Sequence, residues 1–397
     1  MREKKLKDIE NLIVLLFSVL PIIDSLNGMF IVEGVWSSLG TIYKMAIVFV
    51  LFVIVLVYER FSIRFLLLLM STVFYVVFSV VLNMMLGVTK VSYDHSIKLV
   101  FNILIMILLL QLCKIDVIEG KTFFRIFDNS VSLMIICMLV PYVLGVGYTI
   151  YSSGIGYKGF FYSQNELNAV LIMLFGFCLY KNICKITVYS SIQLLAIMVC
   201  VLLMSSKSSM LACCLGLAIF VFEYLRRKGN RHKIAIIVSS MLIVLCGMGF
   251  VLAQIQGFFD RQSSLYKTYN SDIIATITSG RTIFLEVAFD DFIHEKNMPI
   301  RLLLGNGFES KHLVEMDFFD IFFYLGLIGL CLLLIGLVVV FFKSRKNVIK
   351  DRTIIRYFNY FLILGFAFLT GHVIFMATAG CYFVLLCCFN MKYCIEE

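Results

Sequence analysis

The chain has 397 residues, of which 61% are hydrophobic and only 15% are charged, and its mean hydropathy is +0.98. Soluble domains are close to half apolar and about a quarter charged, so this composition excludes a soluble protein and predicts a polytopic integral membrane protein. The net charge of +9 does not indicate nucleic-acid binding, because the basic residues lie in short segments between apolar runs and not on one soluble face.

Apolar runs long enough to cross a bilayer recur along the whole chain. Membrane helices need about 17–25 residues, and the runs lack the alternation of an outer-membrane barrel. We predict an all-α fold with about 12 transmembrane helices, or about 11 if the tightly joined runs around Ser205 or Gly371 merge. The predicted helices cover residues 11–27, 38–58, 63–84, 97–113, 128–146, 165–180, 186–204, 208–225, 234–254, 318–342, 354–370 and 372–391.

The lysines and arginines predict the orientation of these helices. If the N-terminus is inside, the inner segments hold most of the 34 basic residues and the short outer segments hold few. By the positive-inside rule, both termini are cytoplasmic and residues 255–317 form one long extracytoplasmic loop. We expect residues 1–397 to form a single membrane domain. The first run follows MREKKLK without an A-x-A-like cleavage site, so we expect a membrane helix there and not a cleaved signal peptide.

The cysteines and the motif content argue against a disulfide framework and against a structural metal. None of the 13 cysteines falls in a predicted outer segment, so we expect no extracytoplasmic disulfides. No CxxC pair and no HExxH motif is present, so we predict no metal site.

Lys158 and Lys207 are two of the five lysines in the short predicted outer segments, where the orientation rule disfavours them. Lys158 lies in a glycine-rich loop before a helix that Ser163 or Asn165 can cap, and Lys207 lies among four serines in MSSKSSM. A helix start and serine hydroxyls beside a cation suit a phosphate group. The alternative is that both segments are ordinary capped turns.

Arg281 is a third outer basic residue, in TITSGRTIF. Thr278 or Ser279 can begin a helix, which places Arg281 in its first turn, where the helix dipole disfavours a cation. An anionic partner explains this position, and a solvated arginine is the alternative. His372 stands at the outer end of a later helix, where a lone histidine is more often structural than ligand-binding.

Ionisable residues are concentrated where the long polar segment enters an apolar helix. His312, Glu315, Asp317 and Asp320 all lie within residues 305–329. On a helix, Asp317, Asp320 and Tyr324 share one face. Because charge facing lipid is costly, we expect this face to line an active site at the outer membrane surface. A solvated helix end is the alternative.

Four stretches, together with the topology, resemble the Wzy-type polysaccharide repeat-unit polymerases of the O-antigen ligase/polymerase superfamily. The Gly371-His372 pair is similar to these polymerases as well. The stretches are GFFYSQN at 159–165 with Asn168 one turn later, MSSKSS at 204–209, SGR at 279–281, and GNGF at 305–308 with EMDFFD at 315–320 and GLIG at 326–329.

The resemblance implies a fold of the GT-C type and a glycosyltransferase in the bacterial plasma membrane. Such enzymes join oligosaccharide units carried on undecaprenyl diphosphate into capsular or O-antigen polysaccharide at the outer face. No metal, nucleotide sugar or other cofactor is implied, and a chain-length regulator and a flippase of the same pathway are expected partners. Basic residues would neutralise the leaving diphosphate. The substrate-binding candidates are Lys158, Asn165, Lys207, Arg281, Asp320, Tyr324 and His372.

The catalytic base is left open by the sequence. Many ligases of the superfamily carry a histidine shortly before the GLIG-like stretch, where this chain has Glu315, with His312 one turn earlier. Glu315, Asp317 and His312 are therefore the candidates to take the acceptor proton. The acidic version is more similar to polymerases of Gram-positive capsules.

Two other functions remain as alternatives to polymerisation. The apolar runs carry almost no charge at mid-depth and show no internal repeat, which favours surface chemistry over transport. A ligase that transfers finished glycan to another acceptor is the alternative within the enzymes, and a flippase of the lipid-linked glycan is the alternative outside them.

Overall fold

The protein is an all-helical membrane bundle. The computed structural model describes residues 2–58, 63–87, 93–150, 156–226, 262–269, 272–295, 297–309, 313–350, 353–369, 371 and 373–393. Within these ranges, eight helical segments are long and apolar enough to span a membrane, and three shorter helices are apolar as well. The first of the eight segments, Lys4–Val32, comprises the first two helices of the chain. The predicted all-α, polytopic fold is confirmed. The predicted helix at 234–254 lies outside the described residues, and every other predicted run coincides with an apolar helix.

The apolar helices of the bundle are α1 Arg2–Ser18, α2 Leu20–Val32, α3 Leu39–Tyr58, α4 Ile63–Met85, α5 Tyr93–Lys114, α6 Gly120–Val143, α7 Gln164–Cys184, α8 Val188–Leu203, α9 Lys207–Arg226, α14 Asp317–Lys350, α15 Ile355–Leu369 and α16 Ala377–Lys392. Between α9 and α14 lie the short helices α10 (262–268), α11 Ile273–Thr278, α12 Arg281–Ile293 and α13 Met298–Leu304. Gly305 ends α13 with a φ of +77°.

Helices α7 and α16 form the centre of the bundle. Almost every residue of both is buried, and a helix that is apolar on all sides needs such a position. α16 begins beside α7, where the Thr378 amide donates to Glu166 at 2.8 Å. It ends beside Gly120 at the start of α6, and Arg125 of α6 pairs with Glu10 of α1 at 3.3 Å. The described ends of the chain therefore lie together, at the end of the bundle opposite to the start of α7.

Helix α14 is broken inside the apolar part of the bundle. Gly326 interrupts the helix with a φ of +65°. A Cβ on Gly326 would lie 2.3 Å from the Leu303 carbonyl oxygen. The carbonyls freed by the break accept hydrogen bonds from the Asn306 amide and the Tyr75 hydroxyl, among others. An irregular backbone is tolerated here because protein groups replace the missing helical bonds.

Candidate active site

A cavity of about 270 Å³ lies at the end of the bundle where α7, α9 and α12 begin. We call it the basic cavity. It brings together four of the predicted site residues: Asn165, Lys207, Arg281 and Glu315. The other polar side chains in its wall are Gln164, Asn168, Ser206, Ser208 and Ser279. Three helices point their N-terminal ends at this space, and helix N-termini attract anions through free amides and the helix dipole.

Arg281 is held at the start of α12 and faces Glu315. Its predicted place in the first turn is confirmed, with Gly280 and not a serine or threonine as the N-cap residue. Its Nη2 donates to Glu315 Oε2 at 3.0 Å, its Nε to the Glu315 carbonyl at 3.2 Å, and its Nη1 to the Thr278 carbonyl at 3.2 Å. The Arg281 side chain is 13% exposed and that of Glu315 is 44% exposed. The cation is thus fixed while its carboxylate partner opens to the cavity.

Asp320 shapes the turn that carries Glu315. It is fully buried, and its carboxylate accepts hydrogen bonds from the amides of Val314 at 2.8 Å and Met316 at 2.9 Å. Glu315, between these two residues, has a φ of +63°. Non-glycine residues rarely adopt this conformation, and the surrounding structure has to hold them there. The Asp320 carboxylate provides that support on both sides of Glu315.

Asp317 and Gly371 hold the same turn from the other side. The Asp317 side chain is 0% exposed, and its Oδ2 accepts the amides of Val373 at 2.8 Å and Ile374 at 2.6 Å. Gly371 has a φ of +59°, and a Cβ on it would lie 2.0 Å from the Glu315 carbonyl oxygen. The face shared by Asp317 and Asp320 is therefore packed against backbone, and among the described residues neither carboxylate lines the basic cavity.

Lys207 joins the start of α9 to the segment before Arg281. Its ammonium donates to the carbonyls of Thr276 and Ile277, the latter at 3.4 Å, and to Ser279 Oγ at 3.3 Å. A cation beside the last carbonyls of a helix is favourable, because these carbonyls form the negative end of the dipole. Lys207 thereby fixes the Ser279 segment on the bundle and adds positive charge beside Arg281.

The serines and amides near Lys207 complete the wall of the cavity. Ser206 and Ser209 cap the start of α9 reciprocally, each hydroxyl accepting the other residue's amide at 3.1 Å. Asn168 Nδ2 donates to Ser208 Oγ at 2.5 Å. Asn168 Oδ1 is buried and has no hydrogen-bond partner within the part of the chain that the structure describes. The predicted cap by Ser163 is confirmed, because its hydroxyl accepts the Glu166 amide at 3.4 Å.

Besides Asp317 and Asp320, two further predicted residues lie away from the basic cavity, and two lie outside the described residues. Lys158 Nζ donates to the Tyr162 carbonyl at 2.8 Å, and its partial burial lowers the pKa of the ammonium group. Tyr324 is fully buried in the bundle and its hydroxyl lies 3.4 Å from His95 Nδ1. The structure provides no placement for His312 and His372, because both fall outside the ranges that it describes.

Part of the chain matches a known protein family. Residues 260–396 match the family model described as O-antigen ligase like membrane protein. No curated protein and no solved structure matches the chain. The match supports the ligase/polymerase superfamily. It also fits a membrane enzyme of polysaccharide assembly that handles a lipid-linked glycan. The matched range contains Arg281 and Glu315, whereas Asn165 and Lys207 lie before it.

Gln164 is a wall residue that the sequence analysis did not single out, and Asn168 appears there in no functional role. With Asn165 they form a group of amides at i, i+1 and i+4 on a helix that begins after Ser163. Residues three and four positions apart share a helix face, so this spacing was the signal for a row of amides at a helix start.

Proposed function

We propose that the protein is a glycosyltransferase that polymerises undecaprenyl-diphosphate-linked oligosaccharide units at the outer face of the bacterial plasma membrane. The observation that carries the proposal is the basic cavity, where Lys207, Arg281 and three helix starts surround a half-exposed Glu315 carboxylate. The match of residues 260–396 to the O-antigen ligase-like family supports this class of reaction. The proposed product is a surface polysaccharide of the capsular or O-antigen kind.

The diphosphate of the donor binds at the basic cavity in this proposal. Charged hydrogen bonds from Arg281 and Lys207 to phosphate oxygens are stronger than neutral ones, and the free amides of the helix starts add further donors. Positive charge that is fixed before the reaction stabilises the negative charge that develops on the leaving diphosphate. Arg281 and Lys207 are already held by backbone carbonyls, so little reorganisation is needed when the donor arrives.

Glu315 is the proposed catalytic base, because its carboxylate lines the cavity and that of Asp317 does not. In the resting structure it pairs with Arg281. An incoming diphosphate competes for the guanidinium, which frees the carboxylate to accept a proton from the acceptor hydroxyl. The acceptor oxygen then bonds to the anomeric carbon of the donor, and the bond from that carbon to the diphosphate oxygen breaks. The electron pair of the broken bond leaves with the undecaprenyl diphosphate.

Asp317 and Asp320 are positioning residues in this scheme. Each carboxylate accepts two backbone amides next to the Glu315 turn, and burial keeps both away from the cavity. Asn168 Oδ1, which lacks a hydrogen-bond donor among the described residues, is suited to a sugar hydroxyl.

A ligase that transfers finished glycan to another acceptor is the second candidate function. The description of the matched family favours it, and the same cavity chemistry serves both reactions, because both release a lipid diphosphate. The two functions differ in the acceptor and therefore in the product that accumulates when the enzyme fails.

The experiment is a glycan size profile from cells that carry Arg281→Ala, with membrane levels of the protein checked by blot. Removal of one fixed donor to developing charge costs about 100–1,000-fold in rate, so we expect the ladder to collapse to single lipid-linked units. Lys267→Ala is the matched control, since Lys267 is an exposed basic residue of the same segment outside the cavity.

The three outcomes separate the candidates. Single units at a normal protein level support the polymerase. Full-length polymer that stays unattached supports the ligase. An unchanged ladder removes Arg281 from the mechanism.

A further inference from the structure

A second cavity of about 420 Å³ lies on the other side of the first turns of α7. We call it the acidic cavity. Asn165 and Asn168 of α7 line the basic cavity, whereas Glu166, Leu167 and Val170 line the acidic cavity. The two cavities therefore occupy opposite faces of one helix start and belong to the same end of the bundle.

A chain of charged hydrogen bonds forms the deep wall of the acidic cavity. Lys44 Nζ pairs with Asp24 Oδ1 at 2.7 Å and donates to Thr378 Oγ1 at 2.8 Å. Thr378 Oγ1 donates to Asp24 Oδ2 at 2.8 Å, and the Thr378 amide donates to Glu166 Oε1 at 2.8 Å. The Lys44 side chain is only 5% exposed. Ionisable groups kept inside a membrane bundle are costly and usually mark a path or a binding site for a polar ligand.

The sign of the charge distinguishes this cavity from the diphosphate site. Its wall contains three carboxylates and two ammonium groups, those of Asp24, Asp94, Glu166, Lys44 and Lys98. Asp24 is paired with Lys44 and Asp94 with Lys98, so Glu166 is the acid in excess. An excess of carboxylate repels phosphate and accepts hydrogen bonds from hydroxyl or amino groups. The cavity therefore suits a neutral or amino-bearing polyhydroxyl compound.

Apolar and aromatic side chains form the rest of the wall. Met134, Phe161 and Leu167 contribute apolar surface, and the ring of Tyr162 stands at the edge with more than half of its surface exposed. A cavity with an apolar body and a few convergent polar groups is typical of a small-molecule site. An exposed tyrosine ring offers a flat face to the apolar side of a sugar ring.

We propose that the acidic cavity binds sugar residues of the lipid-linked glycan that lie beyond the bond being formed. This inference rests on the proposed function, because it takes its ligand from the same substrate. A helix is about 10–12 Å across, so a short oligosaccharide can pass the start of α7 and enter both cavities. Binding energy from such remote sugars lowers the barrier at the reacting centre only if they are held while the reaction occurs.

The test uses the purified full-length protein and two separate probes. One probe is the glycan that mild acid releases from the lipid-linked units accumulating in cells without the enzyme, which carries neither lipid nor diphosphate. The other probe is inorganic pyrophosphate. Binding of each is measured by saturation-transfer NMR, and folding is checked by thermal unfolding.

The first variant, Thr41→Phe, fills the acidic cavity, because Thr41 is a half-buried wall residue. We expect glycan binding to weaken at least tenfold and pyrophosphate binding to stay unchanged. Ile42→Phe is the matched control, since the Ile42 side chain is 48% exposed and lies outside the cavity wall. Arg281→Ala should show the reverse pattern, with pyrophosphate binding lost and glycan binding kept. If Thr41→Phe unfolds, Glu166→Gln replaces it, because its amide oxygen still accepts the Thr378 amide.

The outcomes separate this inference from the proposed function. Glycan binding that is absent in the wild type, or unchanged in a folded cavity variant, overturns the sugar site. Loss of glycan binding in Thr41→Phe supports the sugar site. It does so even if Arg281→Ala leaves pyrophosphate binding unchanged, which would contradict the proposed diphosphate site. The strongest saturation transfer at the non-reducing end identifies the acceptor as the source of the bound sugars, and at the reducing end it identifies the donor.

Discussion

The two cavities on either side of α7 both lie at helix N-termini, but the charged side chains in their walls differ in net sign. Helices start at both, so both receive the positive end of helix dipoles. At the acidic cavity, Glu166 and Asp94 stand in the first turns of α7 and α5 and offset that potential. At the basic cavity, α9 and α12 have no acid in their first turns and begin instead with Lys207 and Arg281. The first-turn side chains, and not the backbone, therefore decide which kind of ligand each cavity suits.

The two cavities also differ in whether the fold keeps charges in unfavourable positions. A cation at a helix start costs about 0.3–1 kcal/mol, and the basic cavity has two of them. The acidic cavity has a buried ion pair in its deep wall, with Asp24 and Lys44 both mostly buried. In the basic cavity, the Glu315 carboxylate that pairs with Arg281 stays 44% exposed. The Arg281–Glu315 pair can exchange partners with a ligand, whereas the Asp24–Lys44 pair forms a fixed wall.

The largest expected fall in turnover is that of Glu315→Gln. The amide keeps the size of the side chain and an oxygen for Arg281 but no longer takes a proton, and loss of a general base costs about 100–10,000-fold in turnover. The measurement is the rate of polymer formation from lipid-linked units by purified protein, with pyrophosphate binding measured in parallel. We expect pyrophosphate binding to persist, because Arg281 loses a competing negative charge.

Asp317→Asn is the control for this variant, since the buried Asp317 carboxylate touches backbone amides and not the cavity. We expect it to lower thermal stability more than turnover. If Asp317→Asn abolishes turnover in a stable protein and Glu315→Gln does not, the assignment of the base is wrong.

An intermediate effect is expected from Gly371→Ala. The left-handed conformation of Gly371 disfavours a side chain, and the added Cβ would collide with the Glu315 carbonyl that Arg281 binds. Strain of this kind costs about 1–3 kcal/mol, so we expect a lower unfolding temperature together with reduced turnover.

Gly365→Ala, in helix α15 shortly before Gly371, is the matched change for Gly371→Ala. A Cβ on Gly365 meets open space, and such a substitution is neutral or stabilises by about 0.4–1 kcal/mol. Equal unfolding temperatures for the two variants would contradict the close contact between Gly371 and the Glu315 turn.

The smallest expected effect is that of Glu166→Gln in the acidic cavity. It removes the carboxylate in excess while keeping an acceptor for the Thr378 amide. Because this residue binds remote sugars in our proposal, we expect KM for the lipid-linked unit to rise less than tenfold and kcat to change little. Glu286→Gln, an exposed acid on α12 outside both cavities, should leave both constants unchanged. A large fall in kcat with an unchanged KM would argue against a purely binding role.

The sequence predicts the helices well because their signal is local. Hydropathy and length identify each apolar run, and the cap at Ser163 follows from a short pattern. The expected cap at Thr278 or Ser279 is wrong, because Gly280 is the N-cap residue before Arg281. For the candidate site, the basic residues of the predicted outer segments point to Lys207 and Arg281, and the acid-rich stretch points to Glu315. These three residues line one cavity, and their roles stay predictions. No local pattern indicates that the Lys158 ammonium donates to the Tyr162 carbonyl and lies away from the basic cavity.

The roles of Asp317 and Asp320 show why the rest is not readable from periodicity. Helical spacing places both on one face, but it does not reveal what packs against that face. The partners of Asp317 are the amides of Val373 and Ile374, more than fifty positions along the chain. The acidic cavity is also not readable from periodicity, because its wall is formed by residues from four separate helices, Asp24, Lys44, Glu166 and Thr378.

The break in α14 bears on how this chain can change in evolution. Gly305 and Gly326 meet where two backbones cross: a Cβ on Gly305 would lie 2.3 Å from the Tyr324 carbonyl group, and one on Gly326 would lie 2.3 Å from the Leu303 carbonyl oxygen. A side chain at either position would collide with the backbone of the other segment, so both positions must stay glycine for the two backbones to cross this closely. We therefore expect the two positions to be inherited as a pair. A descendant that replaces one glycine would have to re-form α14 as a continuous helix and release the segment after α13 from the bundle.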